Sequence, residues 1–372
     1  MRLLTLAYFL VAYQLNHAQT WLKVWIPDGT PAEASIYLAT NQNDWNPGDP
    51  FFQLKQQGDG SFGLLLTQTG TYEGKITRGS WEAVEVNSDG SQAGNRSFRV
   101  KGKDTLVWQV AHWLDQVEGT STRSSRVLVL DPAMEMSALG RSRRIWVYLP
   151  PAYDEDPNRR FPVLYMHDGQ NLFDQAISYN GEWRVDETLD SLAERRELEL
   201  IVVGIDNGEE HRMQEYTTWD HPRFGVGEGE AYLDFLINEL KPRIEKEFRV
   251  IPGQAGLMGS SMGGLITHAA AVRHPGEFKR LGILSPSFWY HDSVFTEAQL
   301  VIQPQDIENA FFLVGKREGK NMVQNCEKMF QLYQNQGLST EQVAYRLDSE
   351  GIHHESFWGR ELASILIWLY AE

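Results

Sequence analysis

The rhythm of apolar and polar positions changes once along this chain, near residue 126. Before it, from residue 20 to 110, apolar positions come in short runs: LKVWIP, ASIYLAT, FFQLKQ, GLLLTQ, TYEGKIT, AVEVN, SFRV and TLVWQV. Gly, Asn, Asp and Pro clusters separate them. Many short strands without helical periodicity predict a small all-β sandwich over 19–112. After Arg126 the apolar runs become continuous: RVLVL, IWVYLP, PVLYMHDG, LELIVVGID, AGLMG, LGILSP, FFLVG and VAYRL. Helical spacing appears between the later ones. One helix is predicted over Glu228 to Phe248, with Leu233, Leu236, Ile237, Leu240, Ile244 and Phe248 on one face. Pro242 should kink or end its regular part. A second is predicted from Asn321 to Gln336, stopped by Gly337, and a third from Glu355 to Tyr370. Continuous apolar strands alternating with helices predict an α/β domain over 126–372. Its sheet should be mostly parallel and covered on both faces. The polar stretch between the two patterns, 113–125, reads as a linker.

Sites in such sheets form at the carboxyl ends of the strands. AGLMG runs into Gly259-Ser260-Ser261-Met262-Gly263, a G-x-S-x-G pattern followed by a small-residue helix. Strand, tight turn and helix are the setting of a nucleophile elbow. The turn would push Ser261 into a strained conformation, with glycines letting strand and helix approach. PVLYM ends in His167-Asp168-Gly169-Gln170-Asn171, FFLVG in Lys316-Arg317-Glu318-Gly319, and VAYRL in a loop holding Asp348, Glu350, His353 and His354. The chain order Ser261, Glu318, His353 is the order of an α/β-hydrolase: nucleophile, acid, histidine.

Composition narrows the chemistry. Lys plus Arg number 34 and Asp plus Glu 50, so 34 − 50 gives a charge of −16. That argues against nucleic acid or an anionic membrane surface as partner. Residues 1–18 carry Arg2, an apolar stretch from Leu3 to Leu15 and the small residue Ala18. They read as a signal peptide, so a secreted or periplasmic protein without membrane insertion is expected. Cys326 is the only cysteine and shares a helical face with Met322, Met329, Phe330 and Tyr333. It is expected to be a buried structural thiol, with no intrachain disulfide. Asp168 and Asp174 do not amount to a His and carboxylate set with metal spacing. A reaction without metal or cofactor is expected.

Several stretches carry a family resemblance. RRIWVYLPPAYD, FPVLYMHDGQNLFD, GIDNGEEHRMQEYTTW, LMGSSMGG, ILSPSFW, VGKREG and GIHHESFW resemble the esterase branch of α/β-hydrolases. That branch includes enterochelin, feruloyl and acetyl-xylan esterases. The resemblance implies an α/β-hydrolase fold and serine ester chemistry. His353 matches the first position of the family's G-x-H-N-E pattern, with His354 in place of the usual Asn. Glu318 sits where the family places its acid; Asp348 and Glu350, nearer His353 in sequence, are the alternatives. Ser261 is the expected nucleophile and Ser260 a poor second choice. The oxyanion needs two N–H donors. One is expected from Met262 at the helix start and the other from the HDGQN loop, at Gln170. Trp219, Phe288, Trp289 and Tyr290 are candidates for a pocket lining, with burial in the core the competing reading for each. His167 alone of the other histidines lies close to the expected site.

ATNQNDWNPGDPFFQL and TYEGKITRGSWEAVEVNSDGSQAGNRSFRV resemble starch- and glycogen-binding β-sandwich modules, with Gly74 a departure from a larger strand residue. The resemblance implies sugar stacking on Trp45 and Trp81 and hydroxyl bonding by Asn95. Burial of both tryptophans in a core is the competing reading. An acylated oligo- or polysaccharide is therefore the expected substrate. A siderophore lactone hydrolase and a glycan-binding protein without catalysis are the alternatives.

Overall fold

The computed structural model describes residues 20–370, apart from 44, 89, 91–92, 117–120 and 179–180. The expected signal peptide and the middle of the expected linker lie outside the described residues. The chain divides into two compact units between Gly119 and Thr120.

The first unit is built from β1 (Thr20–Trp25), β2 (Ile36–Thr40), β3 (Gln53–Gln56), β4 (Phe62–Leu66), β5 (Gly70–Thr77), β6 (Glu85–Val86), β7 (Arg96–Val100), β8 (Asp104–Gln109) and β9 (His112–Trp113). Seven of them form a sheet in the order β7-β5-β2-β3-β4-β1-β8, and β6 pairs with β9. Alternate residues of β1 point inward, Leu22 and Val24 being fully buried. They share one core with Leu38, Ile76, Val100 and Trp108. Phe98 and Trp108, on the two outermost strands, meet edge to face at 5.2 Å. The sheet therefore wraps round its apolar face. Gly74 is needed here because a Cβ would lie 2.9 Å from Leu38 and 3.0 Å from the Ala39 carbonyl. The linker reading is corrected at its start. Trp113 is a strand residue, fully buried, with Nε1 donating to Thr30 Oγ1 at 2.8 Å.

The second unit is an α/β fold. Its strands are β10 (Val127–Met136), β11 (Arg141–Tyr148), β12 (Phe161–His167), β13 (Ile201–Ile205), β14 (Val250–Ser260), β15 (Arg280–Leu284), β16 (Asn309–Gly315) and β17 (Val343–Asp348). Their order is β10-β11-β13-β12-β14-β15-β16-β17. β10 and β11 are antiparallel at one edge, and every pair from β13 onward is parallel. The central strands are buried nearly throughout, as sheets covered on both faces must be. Two apolar clusters lie on the two faces. One gathers Leu257, Leu265, Ile283 and Phe312; the other gathers Leu164, Met258, Leu313 and Leu366.

The helices follow the predicted stretches with one difference. Gly229–Asp234 and Lys241–Glu247 are α-helical, and Phe235–Leu240 between them is a π turn. Pro242 sits in the first turn of the last piece, where its missing N–H costs little. The helix thus widens before the proline rather than ending at it. Cys326 is fully buried under Leu313. No helix among the described residues is long and apolar enough to cross a membrane.

Candidate active site

β14 ends at Ser260 and the helix Met262–Arg273 begins two residues later. Ser261 makes the whole turn, at φ 57° and ψ −120°. A non-glycine residue at such a φ stores about 1–3 kcal/mol of strain and persists only where its surroundings hold it. Here the Ser261 N–H donates to the Leu284 carbonyl at 3.0 Å, and its own carbonyl accepts from Ser287 N–H at 3.0 Å. The flanking glycines are required by contact. A Cβ on Gly259 would lie 2.7 Å from the Gly263 backbone and 2.8 Å from His167. Ser261 is half-buried at the tip, while Ser260 is buried. Met262 supplies the first N–H of the helix, which has no intrahelical acceptor.

β16 and β17 deliver the other two groups. Past Gly315 the chain turns through Lys316–Glu318, and the Glu318 side chain is fully buried. Its Oε1 accepts from Gly315 N–H at 2.6 Å and from Ser285 Oγ at 2.7 Å. Its Oε2 meets His353 Nδ1 at 2.7 Å. A carboxylate only accepts, so Nδ1 carries the proton and Nε2 presents a lone pair. The imidazole stands edge-on to Trp358, 5.0 Å between centroids and 87° between planes. Trp358 Nε1 donates to Ser285 Oγ at 2.9 Å. Ser285, at φ 43°, thus receives from one wall of the histidine and donates to its carboxylate. The two loops touch backbone to backbone: a Cβ on Gly315 would lie 2.3 Å from the Gly351 carbonyl. Of the three carboxylates considered, Glu318 is the one bonded to His353. Asp348 accepts from Glu350 N–H and pairs with Arg360, and Glu350 is mostly exposed beside Arg317.

Ser261 is not joined to His353 by a direct hydrogen bond. Its described side-chain partner is Ser287 Oγ, at 3.3 Å.

β12 ends in a rigid loop. Asp168 is left-handed at φ 59° and receives Arg212 Nε at 2.6 Å, Arg212 Nη2 at 2.8 Å and Asn207 Nδ2 at 2.6 Å. Burial pushes its carboxyl up, but Arg212 and Asn207 outweigh that and hold it below the ordinary value. Gln170 is nearly buried in the turn Gly169–Asn171, its Oε1 accepting from Asn207 N–H at 3.0 Å. That bond ties the Gln170 side chain to the segment after β13. His167 is buried against the elbow, with Nδ1 2.8 Å from Tyr232 Oη. Burial drives its pKa down to about 3, so it is a neutral packing group.

Of the four candidate lining aromatics, Trp219, Phe288 and Tyr290 are buried and only Trp289 is open to solvent. Trp219 donates to Glu297 and Phe288 packs on His268 and Phe295. These three belong to the core, the competing reading for each. In the first unit Trp45 and Trp81 are half-buried and Asn95 is exposed. Trp45 is held at φ 60°. The two tryptophan loops are neighbours, since a Cβ on Gly48 would lie 3.0 Å from the Gly79 carbonyl.

Sequence reasoning missed Ser285, Ser287, Arg212 and Trp358. The first two lie within ILSPSFW, where nothing but strand adjacency points to them. It also missed a carboxylate group: oxygens of Glu182, Asp186 and Glu187 lie within 4.8 Å of one another. Burial pushes Glu182 up to about 7 and Asp186 to about 8. A groove of about 1310 Å³ opens by Phe161, Glu199 and Arg280 at the amino ends of the strands. It is not at Ser261.

Comparison with known proteins identifies the family. Residues 136–369 match the Esterase family. An uncharacterized protein, YbbA of Bacillus subtilis, is 29% identical over 248 residues, 62% of this chain and 94% of its own. An alpha-amylase of Niallia circulans is 37% identical over 99 residues, 25% of this chain and 8% of its own. Among solved structures, the BES protein from Bacillus cereus has a TM-score of 0.55 at 22% identity, covering 68% of this chain and 98% of that one. A ferulic acid esterase has a TM-score of 0.51 at 18% identity, covering 66% and 97%. The enterobactin esterase FES from Shigella flexneri has a TM-score of 0.52 at 13% identity, covering 90% and 88%. At those identities the structures speak for the fold, whereas the match to residues 136–369 spans more than half the chain. This chain belongs to the Esterase family.

Proposed function

We propose that the protein hydrolyses carboxylic esters through an acyl-Ser261 intermediate. The observation that carries this reading is the His353–Glu318 bond at 2.7 Å, made at the same sheet edge as the strained Ser261. Ser261 Oγ attacks the ester carbonyl carbon while its proton passes to His353 Nε2. Glu318 holds the Nδ1–H and stabilises the imidazolium. The oxyanion lies against the N–H groups of Met262 and Gln170. The intermediate collapses, the C–O bond to the alcohol breaks, and the alcohol takes the proton from His353. Water then attacks the acyl-serine, its proton passing to His353. The bond between the acyl carbon and Ser261 Oγ breaks, Oγ takes the proton back from His353, and the acid leaves.

The substrate we favour is an acylated carbohydrate, with feruloyl or acetyl as the acyl group. The first unit is then a β-sandwich that binds glycan through Trp45, Trp81 and Asn95. The neighbouring tryptophan loops and the 99-residue similarity to an alpha-amylase support that role. Export follows from the leader-like composition of residues 1–18. A second reading, hydrolysis of a siderophore lactone, is favoured by the FES structure matching 90% of this chain. A panel of feruloylated and acetylated oligosaccharides against catechol lactones separates them. The first reading expects the highest kcat/KM on an acylated sugar and retention on xylan or amylose. A preference for the lactone without glycan retention would reverse the choice.

A further inference from the structure

We propose that Ser287 is a further catalytic residue, whose hydroxyl donates a hydrogen bond to the nucleophilic oxygen; this rests on Ser261 being the nucleophile. Ser287 lies just past β15, beside the elbow, and is 1% exposed. Its Oγ is 3.3 Å from Ser261 Oγ. Its position is fixed from both sides of its own backbone. Its N–H donates to the Ser261 carbonyl at 3.0 Å, and its carbonyl accepts from Tyr290 N–H at 3.0 Å. Pro286 before it has a fixed φ.

A buried hydroxyl needs a partner for its proton. Among the described contacts, the Ser287 hydroxyl has Ser261 Oγ and no other. Two serines facing each other can share only one proton along their line. If Ser287 donates, the Ser261 proton points elsewhere and is available to a base. The same bond then acts when charge builds on Ser261 Oγ. That happens as the serine loses its proton, and again when it leaves the second tetrahedral intermediate. A donor held to a developing charge in a dry site stabilises the transition state more than the ground state. The proton of Ser287 stays on Ser287 throughout, so no additional group has to be regenerated.

The test compares wild type with Ser287→Ala, Ser287→Thr and Ser261→Ala on p-nitrophenyl acetate, with rates divided by active sites titrated with a fluorophosphonate. Ser287→Ala is expected to lower kcat per titrated site about tenfold, with KM within about twofold and phosphonylation slowed in parallel. Ser287→Thr, which keeps the hydroxyl, is expected to recover most of the loss. The shape of the pH profile should not change. Unchanged kcat per site in Ser287→Ala would overturn the inference and leave the Ser261 assignment standing. So would an equal loss in the Thr variant, or a rise in KM alone, since either marks a packing role. Activity retained in Ser261→Ala would instead remove the reading on which the inference stands.

Discussion

Glu318 has all of its described acceptor contacts inside the protein: Gly315 N–H, Ser285 Oγ and His353 Nδ1. Replacing it with Gln keeps the shape but removes the charge that stabilises the imidazolium. Glu318→Gln should lower kcat on p-nitrophenyl acetate by about 10³–10⁴-fold, with the fold intact by circular dichroism. A loss smaller than tenfold would mean that another group holds the histidine. Ser285→Ala removes one donor to Glu318 and strands the buried Trp358 Nε1. It should cost about 1–3 kcal/mol of stability in urea unfolding and lower kcat several-fold. The strained turn at Ser261 was legible from the glycines beside it, while its choice as nucleophile leaned on the strand ends that carry Glu318 and His353. Ser285 and Ser287 were not. Their partners come from the turns after β14 and β16 and from the helix Glu355–Tyr370, and no local spacing records contacts between segments so distant in the chain.

At the scale of elements, Gly315 and Gly351 set the distance between the loops that carry Glu318 and His353. A methyl on Gly315 would press on backbone, which cannot rotate away. Gly315→Ala should destabilise the protein by about 1–3 kcal/mol and lower kcat at least tenfold. Stability and kcat both near wild type would show that the loops have slack. The central parallel strands could be read from the chain because burial on both faces leaves an unbroken apolar run. The edge could not be read as well. β10 runs on to Met136 through Asp131 and Glu135, past the apolar RVLVL that marked it, because its outer face is solvated. The choice between lining and core for the aromatics was open for a related reason. Their sequence placed Trp219, Phe288 and Tyr290 near the site edge, but packing turned them into the core.

The whole molecule should show a stability plateau in mildly acidic solution. His167 and His268 are buried neutral, with values driven by burial to about 3 from 6.5. Their contribution is present above pH 6.5 and is lost as pH falls below it, at about 1.4 kcal/mol per pH unit for each. Glu182 and Asp186 act in the opposite sense. Burial raises them to about 7 and 8, so their contribution is full at low pH and lost as pH rises through those values. Urea midpoints should therefore be highest near pH 5 to 6.5 and lower at both pH 3.5 and pH 8.5. A midpoint rising steadily to pH 8.5 would show that the carboxyl group is solvated in solution. The split between Gly119 and Thr120 has its own consequence. A fragment from Thr120 onward should fold and keep kcat on p-nitrophenyl acetate within about twofold, while losing any retention on xylan or amylose. The change of rhythm near residue 126 made two units legible. It did not reveal that Trp113 belongs to the first core and that Ser121, Thr122 and Ser124 bond to Asp174, Glu182 and Asp186 in the second.

The most direct test of serine ester chemistry at this sheet edge is fluorophosphonate labelling followed by peptide mapping. One adduct is expected, on Ser261, with labelling abolished in Ser261→Ala and at least a hundredfold slower in His353→Ala. An adduct on any other serine, or equal labelling of the Ser261→Ala protein, would contradict it.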